Sequence, residues 1–139
     1  IEQPQRFGNK AYRSWSRKVN HDIFNMVKDA LPQEKCEVFS ELGFYLSESF
    51  GNPVRIDYGT GHELSFMFFL CSLFKAEILV EADSVACALR LFNEYLKFVR
   101  RLQTVYRMEP AGSQGVWSLD DFQFIPFIWG SAQLSCKSF

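Results

Sequence analysis

The chain is 139 residues long, 47% hydrophobic and 17% aromatic, with 15 phenylalanines and a formal net charge of −1. That length is one domain's worth, residues 1–139, or a piece of a larger one, and the apolar content is ample for a core; the near-neutral balance, with no basic stripe, gives nucleic-acid binding no electrostatic support. Charged residues make up 22%, below the usual quarter, which points to apolar surface that belongs against further segments or a partner.

The opening stretch, Glu2 to Asn9, reads as loop. From there Tyr12, Trp15, Val19, Ile23, Met26, Val27 and Ala30 recur at three- and four-residue steps, which predicts an amphipathic helix stopped before Pro32. A second helix carries Val38, Phe39, Leu42, Tyr45 and Leu46 and ends at Phe50-Gly51, with Asn52-Pro53 beyond it. Arg55 to Gly61 reads as extended or irregular. A third helix begins between Thr60 and His62 and runs through Phe74; it is apolar nearly all round, which predicts a central helix covered on most sides. The fourth and longest places Val85, Leu89, Phe92, Leu96, Val99, Leu102 and Tyr106 along one face. A fifth, short helix is expected from Ser118, limited or kinked by Pro126. No stretch alternates with a period of two, so the predicted fold is all-α, a compact bundle of about five helices with minimal sheet.

Two glycine-broken segments stand out, each followed by an apolar stretch. One is Arg55-Ile56-Asp57-Tyr58-Gly59-Thr60-Gly61-His62-Glu63; the other runs Met108-Glu109-Pro110-Ala111-Gly112-Ser113-Gln114-Gly115-Val116-Trp117 into Ser118-Leu119-Asp120-Asp121. Glycine lets backbone N–H groups turn toward a ligand, and a following helix start adds free donors and a partial positive charge. Two such loops, with Arg55 and several carboxylates nearby, suit a phosphate and its cation.

Each feature also has a plainer explanation. Gly59-Thr60-Gly61 is neither a Walker loop nor G-x-G-x-x-G, and it fits a tight turn capped by Thr60 with Glu63 as the complementary carboxylate. Ser118-Leu119-Asp120-Asp121 matches a helix-capping pattern; alternatively one of its aspartates offers a hard oxygen to Mg²⁺ beside a carbonyl of the Gly112–Gly115 turn. His62 fits a hydrogen-bonded structural residue better than a general base, and His21 a solvent-facing one. No nucleophile–base constellation is present, so the catalytic residues are unknown. Phe122, Phe124, Ile125, Phe127, Ile128 and Trp129 read as core, dense enough for part to form a groove for an extended or proline-containing peptide.

The four cysteines, Cys36, Cys71, Cys87 and Cys136, show no metal-ligand spacing. Cys71 and Cys87 read as reduced core residues, which favours an intracellular location. The longest apolar run, Leu64 to Phe74, is too short to span a bilayer.

The two glycine segments resemble signatures of the phosphotyrosyl phosphatase activator family. Leu119-Asp120-Asp121-Phe122-Gln123-Phe124, Pro126-Phe127-Ile128-Trp129-Gly130 and Phe7-Gly8-Asn9-Lys10-Ala11-Tyr12-Arg13 are similar to that family as well. The resemblance implies an all-helical protein of cytoplasm and nucleus that activates protein phosphatase 2A and related phosphatases using ATP and Mg²⁺. It also implies peptidyl-prolyl cis–trans isomerase activity. By the same resemblance Arg55, Thr60 and Gly61 correspond to nucleotide-binding positions, and Gly115 and Asp121 to magnesium positions. Family members extend further at both ends, so the chain is expected to be a shortened form that lacks one wall of the nucleotide pocket. Two alternatives follow: a helical binding or dimerisation module that has lost nucleotide binding, and pairing of two copies through apolar surface left uncovered.

Overall fold

The structure is a computed structural model and describes residues 8–111 and 121–135. Helix α1, Ala11–Ala30, ends where the sequence predicts: Leu31 is extended, as a residue before proline must be, and Pro32 cannot continue the turn. Tyr12, Ser16, Ile23 and Val27 form its buried stripe. A short 3₁₀ turn, Gln33–Val38, leads into α2, Phe39–Glu48, which packs along α1 with Leu42 fully buried.

After α2 the chain turns at Gly51, whose φ of +111° suits glycine. It then forms a two-residue strand, β1 (Asp57–Tyr58), before entering α3, Thr60–Lys75. The next helical stretch is built in pieces: α4 (Ser84–Ala86), a π-helical turn (Cys87–Leu91), and α5 (Phe92–Tyr106). Arg107, in the left-handed conformation, ends α5 and hands the chain to β2 (Glu109–Pro110). The last described helix is α6, Ile125–Ser135. The all-α expectation holds, with one two-stranded parallel sheet added among the described residues.

Four expectations are corrected. The extra residue of the π turn shifts the phase of the fourth helix, so Val85 and Leu89 face solvent (68% and 58% exposed) while Cys87 and Phe92 turn inward. Helix α3 fully buries only the stripe Glu63, Phe66, Leu70 and Leu73; Leu64, Phe68 and Cys71 are exposed, so it is not covered on most sides by the described residues. The last helix starts at Ile125, and Pro126 stands in its first turn, where a missing N–H costs nothing, rather than kinking it. Of the apolar run 122–129, Phe124, Phe127 and Ile128 are exposed, and Phe122, Ile125 and Trp129 pack on the core.

The core is held at the end of α2. Its last carbonyls lack helical donors, and three successive ones are met by side chains from three other helices. His62 Nδ1 bonds to the Glu48 oxygen at 2.7 Å, Tyr95 donates to the Ser49 oxygen at 2.8 Å, and Tyr12 donates to the Phe50 oxygen at 2.8 Å. A carbonyl only accepts, so His62 carries its proton on Nδ1 here. Because the Tyr95 hydrogen is committed to Ser49, Tyr58 donates to the Tyr95 oxygen at 2.6 Å. Burial pushes the phenols of Tyr12, Tyr58 and Tyr95 above their ordinary range. Tyr95 also stacks on Phe66, with centroids 3.7 Å apart and planes within 2°.

Tyr95→Phe keeps the stack but leaves the buried Ser49 carbonyl and the Tyr58 hydroxyl unpaired. A loss of about 1–3 kcal/mol in urea-unfolding free energy is expected. A change within about 0.5 kcal/mol, the range of a neutral surface substitution, would contradict this role.

Candidate functional site

The start of the second glycine segment lies beside the first, through residues more than fifty positions apart in sequence. β1 and β2 pair in parallel, with Asp57 opposite Glu109 and Tyr58 opposite Pro110. Glu109 N donates to the Ile56 oxygen at 3.2 Å, and Ala111 N donates to the Tyr58 oxygen at 2.7 Å. Gly59 makes the approach possible: a Cβ there would sit 2.5 Å from the Ala111 carbonyl oxygen.

The first loop is fixed from several directions. Asn52 Oδ1 accepts from the backbone N–H groups of Val54 and Arg55. From α1, Arg13 donates through Nε to the Pro53 oxygen at 3.0 Å and through Nη2 to the Val54 oxygen at 2.9 Å. Ile56 is buried with φ of +57°, a left-handed conformation rare for a β-branched side chain. Such a conformation costs on the order of 1–3 kcal/mol, and it persists only because the surroundings hold it.

Arg55 is 62% exposed and donates through Nε to Asp57 Oδ2, which holds the guanidinium still more firmly protonated. The other Asp57 oxygen, Oδ1, is buried without a hydrogen-bond partner among the described residues and lies 3.9 Å from His62 Nε2. Gly59 precedes α3 with no side-chain cap, and Thr60 and Gly61 are exposed in its first turn. Among the described residues a Cβ at Gly61 would meet nothing within 4 Å. The Thr60 cap with Glu63 as its partner is therefore not formed.

Glu63 is used elsewhere. It is only 1% exposed, and its Oε2 accepts from Phe124 N at 2.6 Å and Ile125 N at 3.0 Å, capping the start of α6. Burial raises its pKa above the usual carboxylate range, while the bonds from Ile125 and Phe124 pull the other way. Its Oε1 has no hydrogen-bond partner among the described residues.

Asp121 is exposed and precedes the capped Phe124 by three residues, at most about 11 Å of chain. It is not helical, and the rest of the Ser118–Asp121 capping pattern lies outside the described residues. Gly115 and Ser118 lie outside the described residues. Arg55, Thr60 and Gly61 thus share one segment, β2 brings the start of the second segment beside it, and Glu63 ties the residues after Asp121 to the same helix start.

The exposed helix start, with the Arg55 guanidinium beside it, suits a phosphate. Among the described residues no group of three His, Cys, Asp or Glu could hold a metal ion. A magnesium ion at Asp121 would therefore draw on phosphate oxygens and water, which is its habit. Asp57, Glu63 and Arg13 are the site-building residues that sequence reasoning missed. Asp57 lies inside the glycine segment itself, whereas the partners of Glu63 and Arg13 are too distant in sequence for any spacing to reveal.

The profile of the phosphotyrosyl phosphate activator (PTPA) protein family matches residues 1–139. A serine/threonine-protein phosphatase 2A activator of Drosophila melanogaster is 67% identical over 138 residues, covering 99% of this chain and 35% of that protein. A probable serine/threonine-protein phosphatase 2A activator 1 of Dictyostelium discoideum is 48% identical over 134 residues, covering 96% of this chain and 41% of its own length. The crystal structure of the PP2A phosphatase activator Ypa1 superimposes with a TM-score of 0.85 at 41% identity, covering 96% of this chain and 41% of that one. The chain spans 35% to 41% of the length of these relatives.

The two neighbouring glycines should respond oppositely to alanine. Gly59→Ala collides with the Ala111 backbone and should cost about 1–3 kcal/mol in thermal or urea unfolding. Gly61→Ala should leave stability unchanged or raise it by up to about 1 kcal/mol, as expected for an open helical position. Equal losses at both positions would contradict the described approach of the two loops.

Proposed function

The chain belongs to the PTPA family, and from that premise we propose that it activates protein phosphatase 2A-like serine/threonine phosphatases with ATP and Mg²⁺, by changing the conformation of the catalytic subunit. The observation that carries this reading is the pairing of β1 with β2 at the uncapped start of α3. It brings the start of the second glycine segment beside the first.

In this reading Arg55 offers its terminal guanidinium nitrogens to phosphate while Nε stays with Asp57. Thr60 supplies a hydroxyl, and the exposed first turn at Thr60 and Gly61 supplies backbone donors and the positive end of the helix dipole. Asp121, with the Gly115 carbonyl, supplies hard oxygens for Mg²⁺. Bound nucleotide and Mg²⁺ contribute negative phosphate oxygens and a cation that a partner surface can recognise. His62 orients rather than reacts, since its Nδ1 hydrogen is committed to the Glu48 carbonyl. The activity is placed in the cytoplasm and nucleus.

Peptidyl-prolyl isomerisation is the associated activity we propose. The exposed Phe124, Phe127 and Ile128 beside this site offer an apolar bed for an X–Pro peptide, and rotation about that bond needs no nucleophile. A second reading, a helical binding or dimerisation module without nucleotide, is favoured by the exposed apolar residues of α3 and α6.

Isothermal titration with a non-hydrolysable ATP analogue and Mg²⁺ separates these readings. Binding is expected in the native chain, with a loss of about tenfold or more in Asp121→Ala, as for loss of a cation ligand. A folded chain with no binding and a stable dimer would favour the module instead.

A further inference from the structure

Glu63 carries a signal that neither the family resemblance nor the proposed ligand positions use. It projects from the first turns of α3, is almost wholly buried, and spends one oxygen on two backbone N–H groups sixty residues away. Both donors belong to the start of α6, where Pro126 has no N–H to offer. Phe127 and Ile128 direct their own N–H groups to the Phe124 carbonyl, so Glu63 meets the donors that this turn leaves over. Two helix N-termini thus converge on one carboxylate, which both dipoles favour. One turn further along the same helix, Trp129 packs against Phe92 with centroids 4.7 Å apart.

We propose that Glu63 is a positioning residue, a strut that sets how far Asp121 stands from Thr60 and Gly61 by holding the Phe124 and Ile125 amides against α3. The inference rests on the nucleotide-and-cation reading of the site. Glu63 itself touches neither ligand; its oxygens are buried, and the partnered one is filled by backbone donors. Carboxylate length therefore matters more than carboxylate charge. Glutamine keeps the reach and an acceptor oxygen with two lone pairs, whereas aspartate keeps the charge but falls one methylene short.

The test uses the full chain with Mn²⁺ and a non-hydrolysable ATP analogue, reading bound metal by electron paramagnetic resonance and following amide exchange at Phe124 and Ile125. Glu63→Asp should speed exchange at both amides and weaken Mn²⁺ binding by about tenfold or more, the usual loss for a residue behind a metal ligand. Glu63→Gln should stay close to the native chain in both. In an Asp121→Ala background, Glu63→Asp should weaken Mn²⁺ binding no further. Native-like binding in Glu63→Asp would overturn the proposal, as would Glu63→Gln being the more damaging, since charge rather than reach would then be acting. If the unsubstituted chain binds no Mn²⁺ with the nucleotide, the site reading falls, and the role of Glu63 with it. That failure shows before any substitution is made, so the two are distinguishable.

Discussion

Three consecutive carbonyls at the end of α2 hold the molecule together at one point. Glu48, Ser49 and Phe50 would each leave an unpaired acceptor in or beside the core, and each is met by a side chain from a different helix. His62 comes from α3, Tyr95 from α5 and Tyr12 from α1. An unpaired buried acceptor costs about 1–3 kcal/mol, so the three bonds decide how four helices sit relative to one another. Ring packing follows that arrangement: Phe66 stacks on Tyr95, and Tyr12 stacks on Trp15 at 5.4 Å.

The site is a consequence of that frame. His62 lies in the first turn of α3, so the bond that fixes α2 also fixes the helix start over which the two glycine segments meet. The chain between Gly51 and Tyr58 must then cross a short gap, and it does so with Ile56 in an unfavourable conformation. Arg13, Asn52 and the β2 backbone hold it there. Glu63 extends the frame in the other direction, toward α6 and the residues after Asp121. Arg55 and Thr60 stay exposed beside this frame, Arg55 with its Nε on Asp57.

Sequence periodicity foretold most of the helices, because their apolar residues repeat at helical spacing and Pro32 and Gly51 mark clear stops. It went astray where geometry departs from that period. One added residue in the π turn at Cys87–Leu91 moved Val85 and Leu89 from the expected inner face to solvent. The β1–β2 pair carries no pattern at all, being two residues long on each side. At the site, the glycine segments were visible as segments, but their pairing was not. Glu63 looked like half of a local cap because a glutamate three residues after a threonine has that form; its true partners lie some sixty residues on. Aromatic density in α6 was legible, while its exposure depends on what covers it.

The central claim is that both glycine segments and the start of α6 form one ligand-responsive unit at the N-terminus of α3. Backbone amide chemical shifts of the isotopically labelled chain, titrated with a non-hydrolysable ATP analogue and Mg²⁺, test it most directly. The account predicts coupled shifts at Thr60, Gly61, Ala111, Phe124 and Ile125, with those of α1 far from Arg13 unmoved. Shifts confined to the exposed apolar residues of α3 and α6, or none in a folded chain, would contradict it.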